Sequence, residues 1–382
     1  MRILLKASCA AIISSQLLGC GKANFTQSKI ETVDIGQTPV KSQGRVGFCW
    51  SYATIGLLES LMKKKTGVSA DLSEEALGFY RMAEELFALS EKYDADQVST
   101  AAQVSGLVFE GLEGWDLSFN PHYNPHLPVR NSMQLVDAFG ALPESAWSYK
   151  FTSDQQLADL TGVVFSGFAS LMQQRGRGNV SREMINDLLA KQGAFGSRPP
   201  EQFTYLAPNG ISRVISAVNF ASDIIGFSKD DFTYLIPDAQ IGYPQLVKAM
   251  KLTLARGINV PFSYAIFRDK FNEWDASYQV NDPNEALLID GGHAVLVTDF
   301  VNNGGRPGLV SNEVLNQEVA KSADDLQFVV IKNSWGARLQ SPLLPIPGYH
   351  TIYQSYLRAL SKTETDISII VPRDIAMQVR YN

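Results

Sequence analysis

Cysteine and histidine are scarce in this sequence. The 382 residues contain three cysteines, Cys9, Cys20 and Cys49, and only four histidines. A chain of this length with three cysteines is not a small disulfide-stapled scaffold. The low numbers of cysteines and histidines also leave few side chains that can act as a thiol nucleophile or an imidazole base. Long apolar runs are also missing after the first twenty residues. We therefore expect no transmembrane helix, since spanning a bilayer takes about 20 apolar residues.

Basic charge is in short supply as well. The formal net charge is −6, and hydrophobic residues make up 45% of the chain. An acidic chain offers no general basic surface, so we expect no nucleic-acid partner. The apolar fraction excludes wholesale disorder. At about 150 residues per domain, the length allows two domains or one enlarged domain.

The first twenty residues have the features of an export signal. Arg2 and Lys6 precede a short apolar run over residues 7–18, and this run is too short to span a bilayer. The run ends in Leu-Leu-Gly-Cys at 17–20, which resembles the lipobox of bacterial lipoproteins. In such proteins the signal is cut before the cysteine, and that thiol carries a lipid. The alternative is an ordinary cleaved signal with an incidental cysteine.

Cleavage at this point would separate the fates of the three cysteines. Cys9 would leave with two basic residues, which would change the net charge from −6 to −8. Cys20 would be blocked by lipid, so Cys49 would be the one unmodified thiol and no disulfide could form within the mature chain. The resemblance implies a lipid anchor in the bacterial envelope. Gly21, rather than Asp, after Cys20 resembles outer-membrane sorting in Gram-negative bacteria.

The remaining sequence divides into a helical first half and a strand-rich second half. Helical spacing of apolar residues predicts helices over 49–66, from Ser73 to about Lys92, in segments over 155–189 and over 243–256; apolar and β-branched runs predict strands over 259–267, 293–300, 328–332 and 348–352. Residues 94–130 and 302–325 are expected to be irregular. This order predicts an α+β fold with two unlike halves and a substrate cleft between them.

Cys49 stands where a thiolate would be stabilised. It follows a glycine-containing loop and begins a predicted helix. There the helix dipole and the first N–H groups favour an anion, and thiolates in such places can have a pKa of about 3.5–7.5. This position suits a covalent nucleophile. The alternative is a small buried hydrophobic residue, which a cysteine often is.

The four histidines are the candidate bases for this thiol. His122 and His126 lie in a proline-broken loop, where the helix that would let both face one metal ion is disfavoured. His350 suits a half-exposed position in a predicted strand. His293 differs, because the glycines at 291–292 place its imidazole at the mouth of an apolar strand. The alternative for His293 is a core histidine with satisfied hydrogen bonds.

A third element follows another predicted strand. Asn333 comes directly after the strand at 328–332, and Trp335 follows two residues later. An asparagine carbonyl can accept a hydrogen bond from an imidazole and fix its orientation. An adjacent indole can keep water away from that bond. The alternative is an ordinary turn asparagine.

Three segments together resemble the active-site motifs of papain-like cysteine peptidases. They are Pro-Val-Lys-Ser-Gln-Gly-Arg-Val-Gly-Phe-Cys-Trp-Ser at 39–51, Gly-Gly-His-Ala-Val at 291–295 and Lys-Asn-Ser-Trp-Gly at 332–336. Further matches lie at 72–74, 140–149 and 348–352, so the resemblance runs over most of residues 38–357. It implies a papain-like fold with a helical left half, an antiparallel β-barrel-like right half and the active-site cleft between them.

The resemblance also implies a role for each matching residue. Cys49 would be the nucleophile, and His293 the general base and then the general acid. Asn333 would orient His293, and Trp335 would cover their contact. Gln43, six residues before Cys49, would donate its side-chain amide to the oxyanion hole together with the Cys49 N–H. No metal or cofactor is implied.

Two further residues of the first helix belong to the resemblance. Trp50 follows the nucleophile and is expected to support the site. Glu59 matches a glutamate of the family's central helix. Its side chain is either a structural group inside the fold or a plain carboxylate on the helix surface.

The sequence departs from the family pattern near the nucleophile and in its spacing. Val46 replaces a cysteine that forms a disulfide in the usual motif, and Phe48 replaces a small residue and is expected to narrow the cleft entrance. His293 lies 244 residues after Cys49, against roughly 130–150 expected. The predicted organisation is a signal peptide over 1–19, a lipidated tether over 20–37 and a peptidase domain over 38–382 with insertions at about 94–130, 150–240 and 302–325.

The sequence therefore predicts an envelope-anchored cysteine peptidase that hydrolyses peptide bonds through a thioester at Cys49. We expect a peptide or protein substrate, membrane contact through the lipid alone and a monomeric chain. One alternative is a narrower enzyme on the same scaffold, such as a terminal peptide trimmer or a peptidoglycan-linked amidase. The other is a catalytically silent papain-fold lipoprotein that acts as a binding or structural surface protein.

Overall fold

The structure is a computed structural model that describes most of the chain after residue 37. The described residues are 38–43, 48–96, 128–149, 154–238, 240–282, 284–305, 312–337, 339, 341–344, 346–362 and 367–381. The predicted signal, the tether, Val46 and the two loop histidines His122 and His126 lie outside this set, so the expectations on them stay predictions. None of the helices in the described part is both long enough and apolar enough to cross a bilayer.

Helices dominate the first half of the described chain. They are α1 (Cys49–Thr66), α2 (Glu74–Lys92), α3 (Pro128–Phe139), α4 (Asp154–Arg175), α5 (Arg182–Leu189) and α6 (Ala217–Asn219), which continues as a π-helix over Phe220–Ile225. The predicted bounds of α1 and α2 are confirmed. Gly67 ends α1 in a left-handed conformation, and the Ser73 hydroxyl caps α2 by accepting from the Ala76 N–H.

Ten strands and four further α-helices are the other main elements of the described chain. A small hairpin pairs β1 (Gln202–Leu206) with β2 (Ser212–Ser216), and the main sheet contains β3 (Phe232–Leu235), β4 (Val260–Phe267), β5 (Phe271–Asn272), β6 (Ser277–Tyr278), β7 (Ile289–Asn302), β8 (Leu326–Lys332), β9 (Tyr349–Tyr353) and β10 (Ser368–Pro372). The helices are α7 (Tyr243–Ala255), α8 (Asn312–Ala320), α9 (Gln354–Leu360) and α10 (Arg373–Tyr381). The predicted helix at 243–256 and the four predicted strands are thus confirmed.

The main sheet is open and mixed. Its strand order is β3-β10-β4-β7-β8-β9-β6-β5, and its pairs are antiparallel except for the parallel pair of β6 with β9. The helical first half and this sheet confirm the α+β prediction. Among the described residues the strand order does not close on itself. His293 lies on the central strand β7, and Asn333 directly follows its neighbour β8.

A glycine lets the central helix approach the sheet closely. Gly56 of α1 faces Leu296 of β7, and a Cβ placed on Gly56 would lie 2.3 Å from Leu296 Cδ2. A larger residue would push the helix away from the strand. Tyr52 and Ala53, one helical turn after Cys49, therefore face Ala294 across a shared small cavity. The start of α1 and the His293 region of β7 are brought together in this way.

Three sequence expectations are wrong. Residues 302–325 contain α8 rather than irregular chain, because Leu315 and Val319, four residues apart in a polar sequence, pack on the core around the sheet. Residues 128–130, expected to be irregular, are the first turn of α3. Phe48 does not narrow the cleft: its ring is buried on Gly78 of α2, where an added Cβ would lie 2.3 Å from Phe48 Cε2.

Candidate active site

Cys49 is the first residue of α1. Its side chain is half-buried, and it takes part in no disulfide within the described chain. The first turn of α1 contains no acidic residue, and no described side chain caps its N-terminus. No acidic side chain of the first turn therefore opposes a thiolate at this end of the helix, and the helix dipole favours the anion.

His293 is buried on β7 and is hydrogen-bonded to Asn333. The distance from His293 Nε2 to Asn333 Oδ1 is 2.8 Å. Because an amide oxygen can only accept, Nε2 carries a proton, and Nδ1 is the nitrogen that can take a proton from a thiol. Trp335 stacks on the imidazole with ring centroids 4.9 Å apart and a 24° angle between the planes. The indole therefore lies against the face of the imidazole.

Burial sets the charge state of this imidazole. Removal from water lowers the pKa of His293 to about 4, although the hydrogen bond to Asn333 opposes the shift. A charged imidazolium here therefore needs a nearby anion. Tyr264 meets His293 edge-on, with ring centroids 6.0 Å apart; its pKa is raised mainly by burial, then by the charges of Tyr278 and Tyr356, and least by that of Cys49. Cys49 is thus within electrostatic range of the rings around His293.

Asn333 has a second imidazole partner that the sequence analysis missed. Its Nδ2 lies 3.0 Å from Nδ1 of His350, whose side chain is 1% exposed rather than half-exposed. The rings of Phe271 and His350 are stacked with centroids 5.4 Å apart, and the Trp335 ring meets His350 edge-on with centroids 6.0 Å apart. Strand alternation alone could have placed His350 on the inner face. It could not have identified Asn333 as the partner.

Gln43 is tied to the residue that follows Asn333. Its backbone N–H donates to the Ser334 carbonyl at 2.8 Å, and the Ser334 hydroxyl donates to Gln43 Oε1. The carbonyl end of the Gln43 amide is therefore anchored, and the NH2 group is the end that can donate to an oxyanion. An isolated bridge between Ser42 and Trp335 joins the same two segments.

Trp50 lies among residues of the helical half, away from His293 and Asn333. It is 2% exposed and meets Phe48 edge-on at 6.3 Å. The guanidinium of Arg81 lies 4.8 Å from the centre of its ring. The structure therefore places Trp50 in the helical core, where it stabilises the start of α1.

Glu59 is a structural group inside the fold. Its carboxylate is buried and accepts from the Thr38 hydroxyl at 2.6 Å and from the Leu72 N–H at 3.1 Å. Lys332, the neighbour of Asn333, donates to Thr38 at 2.9 Å and lies 4.0 Å from Glu59. Burial raises the pKa of Glu59, while the charge of Lys332 opposes that shift. This network connects α1 to the end of β8.

A second ion cluster supports the segment before the nucleophile. Lys41 Nζ lies 2.6 Å from Glu74, 2.7 Å from Asp71 and 3.1 Å from Glu144. Carboxylate oxygens of Glu74, Glu75 and Glu144 approach within 4.8 Å of one another, a spacing that could hold a cation. The ammonium of Lys41 already contacts two of these carboxylates, so the cluster is accounted for by protein groups.

Comparison with known proteins agrees with this geometry. Residues 28–78, which include Gln43 and Cys49, match the family model described as papain family cysteine protease. Cathepsin K from Mus musculus is 50% identical over 40 residues, and cathepsin K from Gallus gallus is 45% identical over 40 residues. Each match covers 10% of this chain and 12% of the relative. The chain thus spans only a small part of the curated relatives that it matches.

The fold is similar to that of a solved bacterial protein over nearly the whole chain. PepW from Lactobacillus rhamnosis HN001 superposes with a TM-score of 0.59 at 14% identity, over 92% of this chain and 84% of that protein. At this identity the likeness concerns the fold alone. With the papain-family segment at 28–78, it confirms the predicted papain-like α+β fold.

The buried imidazole predicts a pH-dependent contribution to stability. A histidine in the unfolded chain titrates near 6.5, whereas the pKa of His293 is lowered by burial to about 4. The unfolded state therefore binds this proton first, and the stabilisation present above pH 6.5 is lost as the pH falls towards 4. We expect the free energy of unfolding to record this loss.

The measurement is urea unfolding of Cys49→Ala and Cys49→Ala/His293→Leu between pH 7 and pH 4. The Cys49→Ala background removes any thiolate that could hold the imidazole charged. The difference in unfolding free energy between the two proteins should shrink by up to about 3 kcal/mol on acidification. A difference that stays constant over this range would show that His293 is not buried as a neutral group.

Proposed function

We propose that the protein is a cysteine peptidase in which Cys49 attacks the carbonyl carbon of a peptide bond. The observation that carries this proposal is the buried hydrogen bond between His293 and Asn333, under Trp335 and beside the helix that begins at Cys49. A nucleophile, a base and a group that orients the base are the parts that covalent acyl transfer needs. The papain-family match over 28–78 supports the same chemistry.

Acylation follows from the positions of these groups. Nδ1 of His293 takes the proton of the Cys49 thiol, and the sulfur forms a bond to the substrate carbonyl carbon. The negative charge moves to the carbonyl oxygen, where the Gln43 NH2 group and the Cys49 N–H stabilise it. Each such donor contributes roughly 2.7–4 kcal/mol to the transition state in comparable sites. When the carbon–nitrogen bond breaks, His293 gives its proton to the departing amine, and a thioester remains on Cys49.

Deacylation uses the same groups in reverse order. Water enters after the amine leaves, and His293 takes one of its protons as the oxygen attacks the thioester carbon. The carbon–sulfur bond then breaks, the acid product leaves, and the proton returns to Cys49. Through both halves, Asn333 keeps the imidazole in one orientation, and Trp335 shields their hydrogen bond from water.

Selective labelling of Cys49 tests this proposal. Trypsin releases residues 46–63 as one peptide in which Cys49 is the single cysteine, while Cys9 and Cys20 both lie within residues 7–22. We expect a thiol-directed epoxide to modify the 46–63 peptide, and Cys49→Ala to abolish hydrolysis of a peptide library without loss of folding. Mass spectrometry and a fluorogenic assay measure the two effects.

The outcomes separate the proposal from its rivals. Hydrolysis that survives in Cys49→Ala would place the nucleophile elsewhere. Folded wild-type protein with neither an adduct nor turnover would favour the silent surface protein. A library profile restricted to terminal residues or to peptidoglycan stems would identify the narrower enzymes.

We also propose that Cys20 anchors the protein to the bacterial envelope, with the outer membrane as its site. The basic start, the short apolar run and Leu-Leu-Gly-Cys at 17–20 support this proposal. Cys20→Ser should move the protein from the membrane fraction to the soluble fraction of a lipoprotein-processing bacterium. Cys9→Ser is the matched control and should leave the protein on membranes. Membrane retention of Cys20→Ser would contradict the anchor.

A further inference from the structure

One amide bridges two buried histidines in this protein. Asn333 Oδ1 lies 2.8 Å from His293 Nε2, and Asn333 Nδ2 lies 3.0 Å from His350 Nδ1. All three side chains are at most 4% exposed. The mechanism above uses only the first of these bonds, and the second one has no role in it.

The chemistry of an amide fixes the protons on both rings. The NH2 group of Asn333 can only donate, so Nδ1 of His350 must present a lone pair, and a neutral His350 then carries its proton on Nε2. The amide oxygen can only accept, so His293 must present a proton on Nε2. The orientation of this single amide thus determines which nitrogen of His293 can act as the base.

His350 keeps this bond at the expense of its other nitrogen. Its Nε2 is buried without a hydrogen-bond partner among the described residues. Buried polar atoms are rarely left in that state. An apolar side chain would fill the same position between Phe271 and Trp335 without burying such an atom. What the imidazole adds over an apolar residue is the acceptor that faces Asn333.

We propose that His350 is a positioning residue: its Nδ1 accepts from Asn333 and so holds the amide in the orientation that makes His293 Nδ1 the base. This inference rests on the proposed peptidase function, because it concerns the base of that reaction. Without the acceptor, the amide could rotate and turn its NH2 group towards His293. Nε2 of His293 would then have to accept, and the proton would move to Nδ1, where it prevents this nitrogen from taking the thiol proton.

Protonation of His350 would have the same effect as its removal, since an imidazolium has no acceptor. The titratable groups on the neighbouring strands are His293 on β7, Tyr278 on β6 and Lys332 on β8, and Lys332 is directed to Thr38. Burial and then the charge of His293 lower the pKa of His350 to about 4. His350 therefore stays an acceptor above that pH.

Two substitutions separate positioning from packing. His350→Asn keeps an acceptor oxygen close to the place of Nδ1, whereas His350→Leu fills the position without any acceptor. We expect His350→Leu to lower kcat by roughly 10- to 100-fold, by analogy with the loss of the partners that orient metal-binding histidines. KM should change little, and His350→Asn should restore most of kcat. If the two variants lose activity equally, or if folded His350→Leu is as active as the wild type, the inference is wrong.

A spectroscopic measurement keeps the test independent of turnover. The chain has four histidines, so 15N NMR of the labelled Cys49→Ala protein can resolve each imidazole tautomer. We expect His350 protonated at Nε2, His293 protonated at Nε2, and a mixture of His293 tautomers after His350→Leu. A proton on Nδ1 of His350 would overturn the inference even if the variants do not fold. Failure of the peptidase proposal would be seen separately, as wild-type protein that forms no Cys49 adduct.

Discussion

The hydrogen bond from His293 to Asn333 depends on the register of three strands. His293 lies on β7, Asn333 follows β8, and His350 lies on β9, with Leu296 opposite Lys332 and Ile331 opposite His350. A slip of one residue in either pair would turn these side chains to the opposite face of the sheet. The site is therefore specified by the pairing of the central strands more than by any local turn.

The helical half adds a second constraint, which is the distance between α1 and the sheet. Gly56 permits α1 to approach Leu296 of β7 closely. The hydrogen bonds that Glu59 accepts from Thr38 and Leu72 hold its carboxylate in the buried interior. Lys332, the last residue of β8, links this network to the strand that precedes Asn333. A buried polar network of this kind specifies one arrangement when its members are satisfied. It thus fixes the nucleophile helix relative to the base.

Sequence reasoning reached the parts of this structure that depend on local pattern. Helical periodicity and glycine punctuation predicted α1 and its end at Gly67, and short motifs identified Cys49, His293 and Asn333. Contacts between distant segments could not be predicted. The residue pattern placed His350 in a strand but could not identify Asn333, which follows β8, as its hydrogen-bond partner. The choice between a structural and a surface role for Glu59 depended on its hydrogen bonds to Thr38 and Leu72, 21 and 13 residues away in the chain. The order of the eight strands in the main sheet depends on how distant segments pair, and it cannot be predicted from any single segment.

The central claim is that His293 takes the proton of the Cys49 thiol, so that the two groups titrate as one pair. The ultraviolet absorbance of the thiolate, recorded against pH with Cys49→Ala as the blank for Cys9 and Cys20, measures this directly. The claim predicts thiolate well below the ordinary cysteine pKa of about 8.5, and a return towards that value in His293→Ala. A thiol that titrates near 8.5 in both proteins would contradict it.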